Sequence, residues 1–90
     1  MENVTRIEEL KVNVISANTA NADGRHVIVN ACKELFDIIE DSLYNNYGEG
    51  AVQDAYTDLC NGNFAEPFKC EQKKSKFELY ATIYTKNILK

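Results

Sequence analysis

Phe77-Glu78-Leu79-Tyr80-Ala81-Thr82-Ile83-Tyr84-Thr85 is the stretch on which the architecture turns, because it satisfies two periods at once. With a period of two, Phe77, Leu79, Ala81 and Ile83 share one face and Glu78, Tyr80, Thr82 and Tyr84 the other, and the aromatic and β-branched content suits a half-buried pleat. At helical spacing, Phe77, Tyr80, Ala81 and Tyr84 line up instead. Few strong helix formers occur in the segment, which favours the strand. Lys73-Lys74-Ser75-Lys76 then turns a hairpin from a strand at residues 68–72, entered through Glu66-Pro67, where proline disfavours helix just before it.

The same ambiguity recurs near the start. Leu10, Val12 and Val14 alternate with Lys11, Asn13 and Ile15, predicting a strand over residues 10–16. Thr5-Arg6-Ile7-Glu8 reads alternatively as a capping box, with Ile7, Leu10 and Val14 at helical spacing. The strand is the preferred reading, and residues 16–24 become a loop.

Between these ends two helices are expected. Over residues 25–45, Ile28, Cys32, Leu35, Phe36, Ile39 and Leu43 recur at helical spacing, with Asn30, Lys33, Glu34, Asp37, Glu40, Asp41 and Tyr44 opposite. Val27, Val29, Ala31 and Ile38 widen the apolar arc to about 200°, so the helix should be covered on two sides. Asp23 is the expected N-cap and Asn45-Asn46-Tyr47-Gly48 the stop. A shorter helix over residues 49–60 buries Val52, Ala55, Tyr56 and Leu59 and ends at Asn61-Gly62. The fold class that follows is α+β, a small three-stranded sheet in the order β-α-α-β-β with two helices packed on one face.

Ninety residues allow one domain over positions 1–90, burying only roughly 60 to 65% of the unfolded surface. Support from self-association is therefore expected, as a homo-oligomer. Cys32, Cys60 and Cys70 are odd in number, without a CxxC pair or a secretory segment, so reduced thiols and a cytoplasmic location are expected. For the same reason the sequon Asn3-Val4-Thr5 is expected to stay unmodified. No apolar run approaches the roughly 18 residues of a membrane span.

Catalytic patterns are weak. His26 is the sole histidine, and Cys32 lies on another helical face, a poor arrangement for a nucleophile pair. The cysteines lack the fourth ligand and paired spacing of a zinc site. Gly48-Glu49-Gly50 lacks the lysine and third glycine of a phosphate loop. No metal, no cofactor and no enzymatic activity are expected.

Charge is the sharper signal. Glu34, Asp37, Glu40, Asp41, Glu49, Asp54, Asp58 and Glu66 fall between residues 34 and 68 without a single Lys or Arg, while six lysines follow from Lys69 onward, for a net charge of −4. Asp37 with Asp41 and Asp54 with Asp58 are like-charge i,i+4 pairs, each costing about 0.2 to 0.5 kcal/mol in an isolated helix. An acidic protein can carry such a face simply as solvated surface. A negative field toward a basic partner, such as the groove of a nucleic-acid-binding protein, gives the cost a purpose. The expected partner-binding residues are Glu34, Asp37, Asp41, Asp54 and Asp58, with Tyr44 and Tyr47 as aromatic anchors. Direct nucleic-acid binding by Lys69, Lys73, Lys74 and Lys76 is disfavoured by the acidic total and the absence of arginine from that cluster.

The resulting expectation is a small acidic, non-enzymatic binding protein. Its composition suggests a viral or mobile-element inhibitor that presents an acidic helical face to a basic host protein. Two alternatives stand beside it: a sponge for an anionic small molecule or nucleotide held by Arg25, His26, Lys and Tyr side chains at a subunit interface, and a self-assembling structural subunit driven by bipolar charge.

Overall fold

A computed structural model describes residues 2–88, which form four helices, α1 (Glu2–Ser16), α2 (Ala22–Tyr47), α3 (Glu49–Leu59) and α4 (Pro67–Ile83), the last continued by a π-helical turn (Tyr84–Ile88). The expected α+β fold is overturned: the described residues contain no strand and no sheet, and the chain is an all-α bundle. All three expected strands, at residues 10–16, 68–72 and 77–85, are helical. For the ends of the chain the helical period is the one realised. Ile7, Leu10 and Val14 are buried on α1, and Phe77, Tyr80, Ala81 and Tyr84 are buried along α4 and its π-helical turn.

The physical reason lies in the punctuation. Lys73-Lys74-Ser75-Lys76 has no residue suited to positive φ, so nothing interrupts the helix there. Pro67 occupies the first turn of α4, where its missing N–H costs nothing, and thereby starts the helix. The reversals after α2 and after α3 use Gly48 (φ 93°) and Gly62 (φ 113°). Gly48 is at once the C-cap of α2 and the N-cap of α3, donating its N–H to Tyr44 O at 2.9 Å, so the two helices meet at a single residue. Asp23 is not the N-cap of α2: Asn21 holds that place, without a side-chain bond, and Asp23 sits in the first turn.

Helix α2 is the spine. Its wide apolar arc, Ile28, Ala31, Cys32, Leu35, Phe36, Ile39 and Leu43, is buried, and α1, α3 and α4 all pack against it. Two contacts show that α1 and α4 run in opposite directions: Asn3 Nδ2 near the start of α1 donates to Tyr84 Oη, just past the end of α4, at 3.2 Å, and Lys74 Nζ from the middle of α4 donates to Ala17 O, just past the end of α1, at 2.7 Å.

The lysines foreseen at a hairpin tip have a different use. Lys73 Nζ donates to Asp58 O (2.6 Å) and Thr57 O (3.2 Å), satisfying carbonyls at the end of α3, and lies 5.6 Å from the centre of the Phe64 ring. A cation there also opposes the negative end of the helix dipole, and α3 has no basic residue in its own last turn. Lys73→Met is therefore expected to cost about 1 to 2 kcal/mol, against no more than about 0.5 kcal/mol for Lys69→Met at an exposed site. Melting curves of the two variants check this, and equal losses would show that the carbonyl cap contributes nothing.

A polar latch holds the α1–α2 link. Buried Thr19 donates from Oγ1 to Glu71 Oε1 at 2.9 Å, and Arg25 Nη1 donates to Thr19 O at 2.7 Å. Among the described residues no helix is long and apolar enough to cross a membrane.

Candidate functional site

The carboxylates separate into those the chain neutralises itself and those it leaves open. Glu34, at the α1–α2 seam, receives Arg6 through Nε and through Nη2 (2.8 Å), while Arg6 Nη1 reaches Glu9 at 3.0 Å. That bidentate bond holds the Glu34 carboxyl below its usual range. Asp58 accepts a hydrogen bond from Tyr80 Oη at 2.7 Å and has Lys76 Nζ at 3.8 Å. Burial, then this bond, raises the Tyr80 hydroxyl well above its ordinary value. Glu71 is tied to Thr19 and Lys74. Two of the expected partner-binding acids, Glu34 and Asp58, thus serve the contacts between helices.

Asp37, Glu40 and Asp41 on α2, and Asp54 on α3, are exposed and make no ion pair among the described residues. They do not form one sheet of charge. Asp58 meets Tyr80 of α4, with Asp54 one turn before it on α3, whereas Glu40 lies across the α2–α3 cleft from Val52 and Tyr56. The α2 group is the coherent one: Asp37, Asp41 and Tyr44 stand at i, i+4 and i+7, and Glu40, Tyr44 and Tyr47 repeat that spacing beside them. Tyr44 and Tyr47 are 59% and 54% exposed.

Next to this stripe lies a shallow cleft of about 320 Å3 between α2 and α3, lined by Phe36, Glu40, Val52, Gln53 and Tyr56. Phe36 and Tyr56 meet edge to face, with ring centroids 5.6 Å apart and planes at 74°, which fixes the Tyr56 ring at the rim. Sequence reasoning left Glu40 and Tyr56 out of the candidate surface. The spacing of α3 places Tyr56 on its buried stripe, yet the residue is 49% exposed. Its amphipathic ring was the available signal, but the register of α3 against α2 was not.

Comparison with protein-family models, with curated proteins and with solved structures returns no match.

The other candidates are placed as follows. Cys32 and Cys70 are buried, Cys60 is partly exposed, and all three are free thiols. Burial raises the pKa of each, that of Cys32 to about 12, so they are poor nucleophiles at neutral pH. Among the described residues no group of three or more His, Cys, Asp or Glu side chains is placed to hold a metal ion. His26 is exposed in the first turns of α2, beside Arg25, whose guanidinium is already engaged with Thr19 O.

Proposed function

We propose that this chain is a non-catalytic binding protein that presents the C-terminal half of α2 to a basic partner. The observation that carries the reading is the clustering of its open acids: Glu9, Glu34, Asp58 and Glu71 meet the chain's own cations, and of the acids that meet none among the described residues, Asp37, Glu40 and Asp41 are the three gathered on one helix face. Three neighbouring carboxylates on one helix face repel one another, and a cationic partner would relieve that repulsion. Such a surface raises association rate and competes with phosphate for the same partner. A nucleic-acid-binding protein, inhibited by occupation of its basic groove, is the fitting class, and the cytoplasm is the fitting compartment for three reduced thiols.

A lysine octapeptide and an arginine octapeptide serve as defined cationic probes. Both are expected to bind at low salt and to weaken steeply as salt rises. Combining Asp37→Asn, Glu40→Gln and Asp41→Asn should weaken binding by about tenfold or more, whereas neutralising Glu2, Glu8 and Glu78, which removes the same formal charge elsewhere, should leave most of it. Nuclear magnetic resonance titration would locate the contact. Absent binding of both peptides, or equal losses in the two triple variants, would refute the reading.

A further inference from the structure

The cleft between α2 and α3 has features that select one kind of cation. Resting on the reading of α2 as a docking face for a basic partner, we propose that this cleft is a receptor for a single arginine side chain of that partner. Phe36 and Val52 give the cleft an apolar part and Glu40 and Gln53 a polar one, and among the described residues no lysine or arginine lines it. At its edge stands the Tyr56 ring, held edge-on by Phe36, with the Glu40 carboxylate and the Gln53 amide beside it. Glu40 makes no ion pair among the described residues, so its oxygens are open to a donor.

A guanidinium meets these groups in a way an ammonium does not. Its plane stacks on an aromatic face, it is weakly hydrated, and its fork of N–H donors matches a carboxylate. The aliphatic stem of arginine would cover Phe36 and Val52 while the head reaches Glu40 and the Gln53 carbonyl oxygen. Lysine carries a compact, strongly hydrated charge that gains less from an aromatic rim and cannot fork onto the carboxylate. Asp37 and Asp41, flanking Glu40 on α2, supply attraction without geometry and so serve either cation. The aromatic ring and the cleft supply the preference.

Titration of the full chain with the two octapeptides at one ionic strength tests the assignment. The arginine peptide is expected to bind about two- to fivefold more tightly than the lysine peptide of equal charge. Tyr56→Leu, which keeps an apolar rim, should bring that ratio close to one. Tyr56→Phe should preserve it. Glu40→Gln should reduce it, while Asp54→Asn, on the other flank of α3, should leave it unchanged. In a two-dimensional amide spectrum the arginine peptide should shift residues 36, 40, 53 and 56 most. Equal affinities for the two peptides, or a ratio untouched by Tyr56→Leu, overturns the arginine receptor while the acidic docking face stands. If neither peptide binds, both fall together. Melting curves of the variants confirm that each is folded.

Discussion

Replacing Phe77 with alanine is expected to remove about 3 to 5 kcal/mol of stability, whereas Leu79→Ala, two residues further on, is expected to stay within about 0.5 kcal/mol of the parent. Phe77 is fully buried, at 0% exposure, among side chains of the single core cluster that unites α1 to α4. Its loss leaves a cavity that close-packed neighbours cannot refill, and lost transfer energy and lost dispersion contacts add. A chain of this size has net stability on the order of 5 to 15 kcal/mol, so the variant should be partly unfolded well below the parent's midpoint. Leu79 is 46% exposed on the outer face of α4, and alanine there is the better helix former. The pair is diagnostic because in a strand both side chains would share one face, and both truncations would then cost similar amounts. Urea unfolding followed by far-ultraviolet circular dichroism reads the two values, and comparable losses would sink the helical assignment of residues 77–85.

The sequence made the middle of the chain legible and its two ends illegible, for one physical reason. On α2 the apolar residues satisfy only the helical period, since Cys32, Leu35, Phe36 and Ile39 cannot be laid on one face of a strand. Gly48 and Asn61-Gly62 then mark real breaks, and α3 (Glu49–Leu59) falls within a residue of where its spacing put it. On α1 and α4 the apolar residues satisfy both periods, and the β-branched and aromatic side chains tilt a local reading toward the strand. Propensity yields to tertiary packing here. A helix satisfies its own backbone bonds and needs only an apolar stripe, which α2 supplies on two sides, whereas an edge strand at residues 10–16 would have needed a partner in register. The absence of a residue suited to positive φ at Lys73–Lys76 is the feature that speaks against a hairpin there.

The charge pattern was legible in its existence but not in its use. Acids and lysines were sorted along the chain, and part of that sorting is spent within the fold: Lys76 faces Asp58, Lys73 closes the end of α3, and Lys74 closes the end of α1. These contacts span 15 to 57 residues of sequence, so no local spacing rule exposes them. Of the acids left without an ion pair among the described residues, Asp37, Glu40 and Asp41 are the three gathered on one face of α2, and this cluster is the part to which the proposed partner is assigned.

A second large effect is expected at Gly24, where alanine should destabilise the fold by about 2 to 3 kcal/mol, although Gly50→Ala on α3 should stabilise it by about 0.5 kcal/mol. Both glycines lie within helices, and by helix propensity alone alanine would be welcome at each. Their surroundings decide the sign. A Cβ on Gly50 meets nothing within 4 Å, so the substitution simply lowers the entropy of the unfolded chain. A Cβ on Gly24 would run into the backbone of Asn18, overlapping its carbonyl oxygen and standing 2.7 Å from its carbonyl carbon and 2.8 Å from its nitrogen. Backbone cannot rotate aside as a side chain can. The Asn18 carbonyl already accepts the Asn21 N–H at 3.1 Å, so displacing it breaks the turn that leads into α2. Thr19 follows directly, and its bonds to Glu71 and from Arg25 fasten that turn to α4 and α2, so the disturbance spreads to the latch joining three helices. Denaturant midpoints of the two variants should therefore move in opposite directions. A Gly24→Ala protein as stable as the parent would mean that residues 17–21 do not press on the first turn of α2.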